Sequence, residues 1–271
     1  MRFFICLWIT VVLGADTAAQ SSVPSFTIAM PYSSEIPPYI WLDRTTGKPV
    51  GSIIDNHELV AQKLGYHLRW RLYHPTQDQQ VLFEEFQRGE IDILINKPPP
   101  TFDEANLVLL KPSMPMASLN VFTPSNSQLA QLTVDALPDF RGVSTTMTTA
   151  SLDRLLEKHP VLSKDLQLVS AEDMPSSIIA IQQGQADYSF AERSSLIIAL
   201  RNAGVIDNYQ IMEPPLGYFL SFMYYNPQSD FTQYEKGLLD IFFKYLNNGR
   251  LEHIKIRNMR RYIRENHDRT D

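Results

Sequence analysis

The amino-acid sequence predicts an α/β fold built from two similar halves. Two segments, "LFEEFQRGEIDILI" from Leu82 and "IIAIQQGQADYSFA" from Ile178, share one order: an amphipathic helix, a glycine, an aspartate and a short apolar strand. Apolar strand patterns alternate with helical patterns through each half, which is typical of mostly parallel sheets with covered faces. Two further extended runs lie between the halves and predict strands that link them.

In the first half, hydrophobic periodicity predicts the order strand, helix, strand, helix, strand. The predicted strands cover residues 26–30, 67–73 and 91–95, and the predicted helices cover 53–64 and 78–88. Gly65 and Gly89 follow the two helices, and a helix commonly ends at a glycine in the left-handed conformation. The glycines therefore support the helix ends.

The second half follows the same logic and adds a helix. The predicted strands cover 142–145, 166–169 and 186–190, and the predicted helices cover 149–158, 175–183 and 192–203. Gly184 takes the place of Gly89, and Asp187 opens its strand as Asp92 does in the first half. The two halves are therefore expected to share one local architecture.

The last part of the chain is expected to return to the first half. The extended runs "ASLNVFT" (117–123) and "LGYFLSFMYY" (216–225) predict two crossover strands, and two crossings bring the chain back. A helix with a broad apolar face is predicted over 230–246, and Gly249 separates it from a basic helix that begins near His253. That basic helix is either a solvated face or a docking surface.

The N-terminus predicts a signal peptide over residues 1–19 rather than a buried first strand. Arg2 precedes an apolar run, 3–15, that is too short to cross a bilayer, and small residues then offer a cleavage site before Gln20. We expect an exported chain that is soluble in the periplasm. Cys6, the single cysteine, leaves with the signal, so neither disulfides nor thiolate catalysis are expected in the mature chain.

Composition narrows the function classes further. With 271 residues, 44% of them apolar, the chain can bury a real core, and a net charge of −6 argues against a nucleic-acid partner. The six histidines show no metal-binding spacing, and no Gly-x-Ser-x-Gly motif or phosphate-binding glycine loop occurs. No cofactor and no metal are expected.

Several phrases, in this order along the chain, resemble the family 3 extracellular solute-binding proteins, which typically serve amino-acid ABC transporters. The phrases are "PPYIWLDRTTGKPVGSIID", "LFEEFQRGEIDILI", "LPDFRGVSTTMTTASLDRLL", "AIQQGQADYSFAE" and "GLLDIFFKYLNNGRLEHIKIRNMRRY". The resemblance implies a two-lobed, type 2 periplasmic-binding-protein-like fold, each lobe a mixed, mostly parallel sheet flanked by helices. Residues 20–117 plus 216–271 would form the first lobe and 118–215 the second, in a monomer that closes on a small-molecule ligand.

The same resemblance implies which residues contact the ligand between the lobes. The candidates follow strand ends, where open α/β sheets bind ligands. They are Tyr39, Trp41, Asn96, Lys97, Thr101, Glu104, Thr145, Thr146, Thr148, Thr149 and Glu192. Alternatives stay open: the aromatics as core, the threonines as helix caps, Lys97 as a loop lysine, and Glu192 as an ordinary first-turn acid.

The loop "NKPPPTFDEA" departs from the family pattern. The family places roughly Gly-x-Thr-x-Thr-x-x-Arg after this strand, and the arginine grips the ligand's α-carboxylate as a fork. Here Lys97 stands at the glycine, Pro99 at the first threonine, Thr101 at the second and Glu104 at the arginine. We therefore expect that ordinary α-amino acids are not bound in the usual way. Glu104 with Glu192 instead predicts an acidic cleft for a cation or amine, whereas Lys97 and the threonine run would suit a carboxylate or phosphate.

Three functions remain at this stage. The first is capture of a small polar solute for a permease of an ABC importer, and the second is a sensory or orphan ligand-binding module. The third is a dehydratase-like enzyme on the same fold, with Glu104 or Glu192 as general acid. The missing arginine argues against the third, since such substrates carry carboxylates, and we expect no enzyme.

Overall fold

The structure is a computed structural model, and it describes residues 23–32, 35–74, 78–95, 107–111, 114–145 and 166–267. Its strands are β1 (Ser25–Pro31), β2 (Trp41–Leu42), β3 (Pro49–Val50), β4 (His67–Tyr73), β5 (Ile93–Ile95), β6 (Val108–Leu109), β7 (Met114–Pro124), β8 (Arg141–Thr145), β9 (Gln167–Ala171), β10 (Tyr188–Glu192), β11 (Tyr209–Ile211), β12 (Gly217–Ser221) and β13 (Met223–Tyr225). Its helices are α1 (Ser52–Leu64), α2 (Gln79–Gln87), α3 (Met174–Gln182), α4 (Arg193–Asn202), α5 (Glu235–Asn247) and α6 (Arg250–His267).

The strands form two main sheets, as the sequence predicts for a mixed α/β fold. The first sheet has the order β4-β1-β5-β13-β6, and the second has the order β11-β7-β10-β8-β9 with β12 paired to β7. The strand β13 is antiparallel to β5 and β6, while β1 pairs with β4 and β5 in parallel. We call the first sheet with α1, α2, α5 and α6 the first lobe, and the second sheet with α3 and α4 the second lobe.

The chain crosses between the sheets twice, which confirms the predicted crossover architecture. It leaves the first sheet after β6 and enters the second through the long strand β7. It returns where β12, paired antiparallel to β7, gives way to β13 in the first sheet. The residue boundaries of the lobes given above stay a prediction.

Most predicted elements match, and the differences have local causes. The predicted helix 230–246 is divided into a 3-10 helix, Asp230–Tyr234, and α5, because the Ser229 hydroxyl accepts from the Phe231 N–H at 3.1 Å and starts the tighter turn. The predicted strand 91–95 begins only at Ile93, since Asp92 uses its N–H and side chain to hold Thr27. The predicted helix 149–158 lies outside the described residues.

The basic helix α6 is part of the first lobe's packing and not only a solvated face. The helix packs against α1, and its buried residues include Ile254, Asn258 and Ile263. The Asn258 amide donates to Asp55 Oδ2 at 2.8 Å, and Arg257 pairs with the same carboxylate at 2.7 Å. Buried amides need such partners, so these bonds fix how α6 sits on α1. Within the part of the chain that is described, no helix is long and apolar enough to cross a bilayer.

Candidate functional site

The loop that carries Tyr39 is fixed by the start of α1. The first two N–H groups of the helix, Ser52 and Ile53, donate to the carbonyls of Pro38 and Tyr39 at 2.9 and 3.1 Å. Helix N-termini leave such donors free, so the loop satisfies them with main-chain oxygens. Gly51 precedes the helix with φ 131°, and a Cβ there would lie 2.3 Å from the Tyr39 oxygen. Glycine is therefore required for this close approach.

Trp41, predicted to contact ligand, is instead a core residue beneath α6. Its side chain is 1% exposed, and its indole N–H donates to Glu265 Oε2 at 3.1 Å. The Tyr262 ring meets it edge-on at 5.4 Å, and the Arg261 guanidinium lies 5.7 Å from its ring centre. The alternative interpretation of this aromatic as core is the one that the structure supports, because the C-terminal helix covers it.

Tyr39 reaches from the first lobe to the second. Its hydroxyl donates to Glu192 Oε1 at 2.7 Å, and the side chain is 4% exposed. Burial, and then the neighbouring Glu192 charge, raise the pKa of the Tyr39 hydroxyl far above its ordinary value. The phenol therefore stays protonated and serves as a donor. We call this contact the Tyr39–Glu192 bridge.

Glu192 is an acid at a helix start, in line with one of the two interpretations of the sequence, and its predicted ligand contact stays a prediction. It ends β10 and caps α4, where its carboxylate accepts from the N–H groups of Ser194 and Ser195 at 3.0 and 2.8 Å. The same carboxylate accepts the Tyr39 hydroxyl, and Ser195 adds a second interlobe bond to the Pro37 carbonyl at 3.3 Å. Helix-start donors favour a negative charge at this place.

A cavity of about 850 Å³ opens beside the Tyr39–Glu192 bridge. Its described lining comes from both lobes and comprises Glu35, Ile36, Pro37, Tyr39, Ala117, Thr145, Glu172, Asp173, Met174, Pro175, Ile178, Ile179, Gln182, Glu192, Ser195, Ile198, Ala199, Asn202, Ala203 and Tyr262. Four of these residues are acidic, and none of the described lining residues is Lys, Arg or His. The volume lies within the range of about 300–1,000 Å³ usual for small-molecule sites.

Comparison with solved structures of similar shape identifies the fold. The probable amino-acid ABC transporter extracellular-binding protein ytmK from Bacillus subtilis aligns with a TM-score of 0.61 and 11% identity, covering 87% of this chain and 97% of its own. A polar amino acid ABC uptake transporter substrate-binding protein from Streptococcus thermophilus gives 0.60 and 19%, covering 90% and 92%. This chain has the type 2 periplasmic-binding-protein fold.

A receptor core shares this periplasmic-binding-protein fold. The GluR0 ligand-binding core in complex with L-glutamate aligns with a TM-score of 0.56 and 15% identity, covering 88% of this chain and 99% of its own. No family model matches the sequence, and no curated protein matches it. At these identities the likenesses establish the fold and do not identify a ligand.

In this periplasmic-binding-protein fold, three predicted residues line the interlobe cavity: Tyr39, Thr145 and Glu192. Thr145 is buried at the end of β8. The remaining predicted contacts lie outside the described residues, and they stay predictions. They are Asn96, Lys97, Thr101, Glu104, Thr146, Thr148 and Thr149.

Several lining residues were missed at the sequence level. Glu172 and Asp173 follow β9 as Glu192 ends β10, so the rule that ligands bind at the carboxyl ends of strands could have found them. Asp173 caps α3 by accepting from Ser176 Oγ and N–H at 2.6 and 2.8 Å, and these bonds lower the pKa of its carboxyl. The acid therefore keeps its charge at the rim.

The sequence around Tyr262 does not predict that this residue lines the cavity, because it belongs to the C-terminal helix α6. Burial, and then the neighbouring Glu35 carboxylate, raise the pKa of its hydroxyl. The helix α6 also touches α4 of the other lobe. The C-terminal helix thus contributes to the cavity wall and fixes the loop around Trp41.

Proposed function

We propose that this chain is an exported solute-binding protein that captures a small cationic solute between its two lobes and presents it to a membrane permease of the ABC-importer type. The observation that carries the proposal is the interlobe cavity, whose charged lining residues in the described chain are all carboxylates. Two of the similar structures are named as binding components of amino-acid ABC transporters, which supports the importer role.

The charge of the cavity selects the ligand class. An ammonium or guanidinium group in the cavity would have the lining carboxylates of Glu35, Glu172, Asp173 and Glu192 as possible partners, and charge-assisted hydrogen bonds are roughly twice as strong as neutral ones. A ligand carboxylate would meet like charge in the same place. Since Glu104 also stands where the family has its carboxylate-binding arginine, a free α-amino acid is the less favourable ligand.

Capture follows from the way the lobes are joined. The strands β7 and β12 pair side by side in the second sheet, and the chain passes to and from the first sheet at Met114 and Ser221, so bending near these ends would open and close the cavity as a hinge. The Tyr39–Glu192 bridge links the walls in the closed arrangement. A cation that binds beside Glu192 adds contacts that exist only when both lobes meet, and therefore shifts the population toward the closed form.

Calorimetry against amines, guanidines, amino acids and organic acids tests this proposal. We expect binding of amines and no binding of acids of similar size. In a thermal-shift format, a ligand at one hundred times its Kd adds about 2.7 kcal/mol of stability. A selective response to acids would contradict the proposal.

A pair of variants locates the site. Glu192→Gln keeps an oxygen to cap α4 but removes the charge, so we expect amine binding to weaken by about tenfold or more. The matched control is Asp240→Asn on the exposed side of α5, which should leave the Kd unchanged. Equal Kd values for both variants would place the cation elsewhere.

A sensory role is the second candidate, and the likeness to the GluR0 ligand-binding core supports it. Both roles use the same cavity, so co-purification with a permease or with a receptor kinase separates them. We propose no enzyme activity: the three hydrogen bonds that Glu192 accepts use it as an acceptor, which is unlike the arrangement of a general acid poised over a substrate.

A further inference from the structure

The interlobe cavity continues beyond the acidic cleft as an apolar groove between α3 and α4. Ile178 and Ile179 of α3 lie on one side of it, and Ile198 and Ala199 of α4 lie on the other. At its far end stand the uncharged residues Gln182, Asn202 and Ala203. We call this part of the cavity the α3–α4 groove.

Charge and apolar surface are separated along the cavity. The acidic residues Glu172, Asp173 and Glu192 all stand at the N-terminal ends of α3 and α4. Farther along the two helices the described lining carries no charge, and Ile179 leaves 49% of its surface exposed. Ile178 and Ile198 are buried, and an exposed isoleucine beside them on a cavity wall is more informative than an isolated surface isoleucine.

We propose that the solute is an amphipathic cation, with its ammonium group at the acidic cleft and its apolar tail in the α3–α4 groove. This inference rests on the proposed function and specifies its ligand class. The lining of the cavity supports this proposal. Its acidic end favours a cation, and its apolar end would remove the surface of an apolar tail from water. A hydrophilic polyamine or a free acidic amino acid would leave the groove in contact with water.

The length of the groove sets the length of the tail. It follows α3 from Pro175 to Gln182, and a helix rises about 1.5 Å per residue, so the groove is about 10 Å long. An extended aliphatic chain of about eight carbons has a similar length. The wild-type protein is therefore best probed with a short amine and a long amine of the same head group.

Calorimetry with n-butylamine, n-octylamine and octanoate tests the inference. We expect octylamine to bind roughly tenfold tighter than butylamine, because part of the extra chain leaves water, and octanoate to bind more weakly than either amine. Equal Kd values for the two amines would overturn the groove while leaving cation capture intact. Failure of both amines would overturn the proposed function itself, and octanoate as tight as octylamine would overturn the charge assignment.

Two substitutions by serine distinguish a specific effect of the groove from a general effect of removing an exposed apolar side chain. Ile179→Ser lies in the groove and is already half exposed, so it should fold and should reduce the ratio of octylamine to butylamine affinity about threefold to fivefold. Leu132→Ser, at 41% exposure and outside the cavity lining, is the control that should leave the ratio unchanged. An unchanged ratio in Ile179→Ser would contradict the tail position.

Discussion

Asp92 and Asp187 take equivalent places in the two lobes. The Asp92 carboxylate accepts from the Thr27 N–H at 2.7 Å, and its own N–H donates to the Thr27 carbonyl at 2.9 Å. Asp187 makes the same reciprocal pair with Arg141, at 2.9 and 2.7 Å. In each lobe the aspartate after the helix and glycine thus ties one strand to its parallel neighbour.

The surroundings of the two aspartates differ. The other oxygen of Asp92 accepts from the Ser229 hydroxyl, and its carbonyl accepts from the Asn226 N–H at 2.9 Å, so it holds the chain as it returns from the second lobe. The Asp187 carboxylate instead meets the Arg141 side chain at 3.5 Å and is 36% exposed. One local motif therefore fixes a strand in both lobes. In the first lobe the aspartate carboxylate also binds the returning chain, whereas in the second lobe only the Asp187 carbonyl bonds a crossover strand, by accepting from Thr123 Oγ1 of β7 at 2.8 Å.

The largest expected difference between the lobes is their loss of stability in acid. His57 of the first lobe is buried, its ring packs against Trp70 and Phe242, and burial lowers its pKa from 6.5 to about 4. Because the folded pKa lies below the unfolded one, this contribution to stability is complete above about pH 6.5 and is lost as the pH falls toward 4. The loss amounts to about 3 kcal/mol.

Urea unfolding at pH 7 and pH 4.5 measures this effect. The variant His57→Leu cannot titrate at this position and should lose less stability between the two pH values. Hydrogen exchange at pH 4.5 should show earlier opening in α1 and β4 than in β8 and β10. A uniform loss in both lobes, unchanged in the variant, would contradict the assignment.

Replacing each aspartate tests whether the additional contacts of Asp92 stabilise the fold. Asp92→Ala should cost about 2 to 3 kcal/mol, because it leaves the Thr27 N–H and the Ser229 hydroxyl without their charged acceptor. Asp187→Ala should cost about 1 kcal/mol, since its carboxylate is partly solvated and a surface ion pair contributes little. Urea midpoints report both values, and equal losses would mean that the crossover anchor has no energetic weight.

Substitution of the glycine that ends the equivalent helix in each lobe should have the same effect in both. Gly89 and Gly184 have φ of 72° and 69°, and a Cβ on either would meet no atom within 4 Å. Alanine at either position should therefore cost the same amount, about 1 kcal/mol, from backbone strain alone. Thermal unfolding of Gly89→Ala and Gly184→Ala checks this, and a clear difference would reveal an unequal helix end.

Local patterns predicted much of the fold. The strand predicted over 67–73 is β4 with the same bounds, and α1 begins one residue before its predicted start. Hydrophobic period, a glycine after a helix and an aspartate before a strand act over a few residues, and all of them can be seen in the sequence. The repeated helix–glycine–aspartate–strand order likewise predicted two similar halves.

The candidate site was only partly predictable. The family resemblance implied that Tyr39 and Glu192 lie in the cleft, and the structure joins them directly. Trp41 stands two residues from Tyr39 in the same loop and shares its aromatic character, yet Glu265 and Tyr262 bury it. Nothing within the loop distinguishes the two aromatics.

The sequence by itself determined the α/β class, the two related halves, most helix and strand positions, and the acidic character of residues at the strand ends. Only the tertiary structure decided that α6 covers Trp41, that Tyr262 reaches the cavity, and that α3 and α4 leave an apolar groove between them. The physical reason is separation along the chain. Periodicity and capping are local, whereas burial and interlobe contacts depend on which distant side chains share a surface.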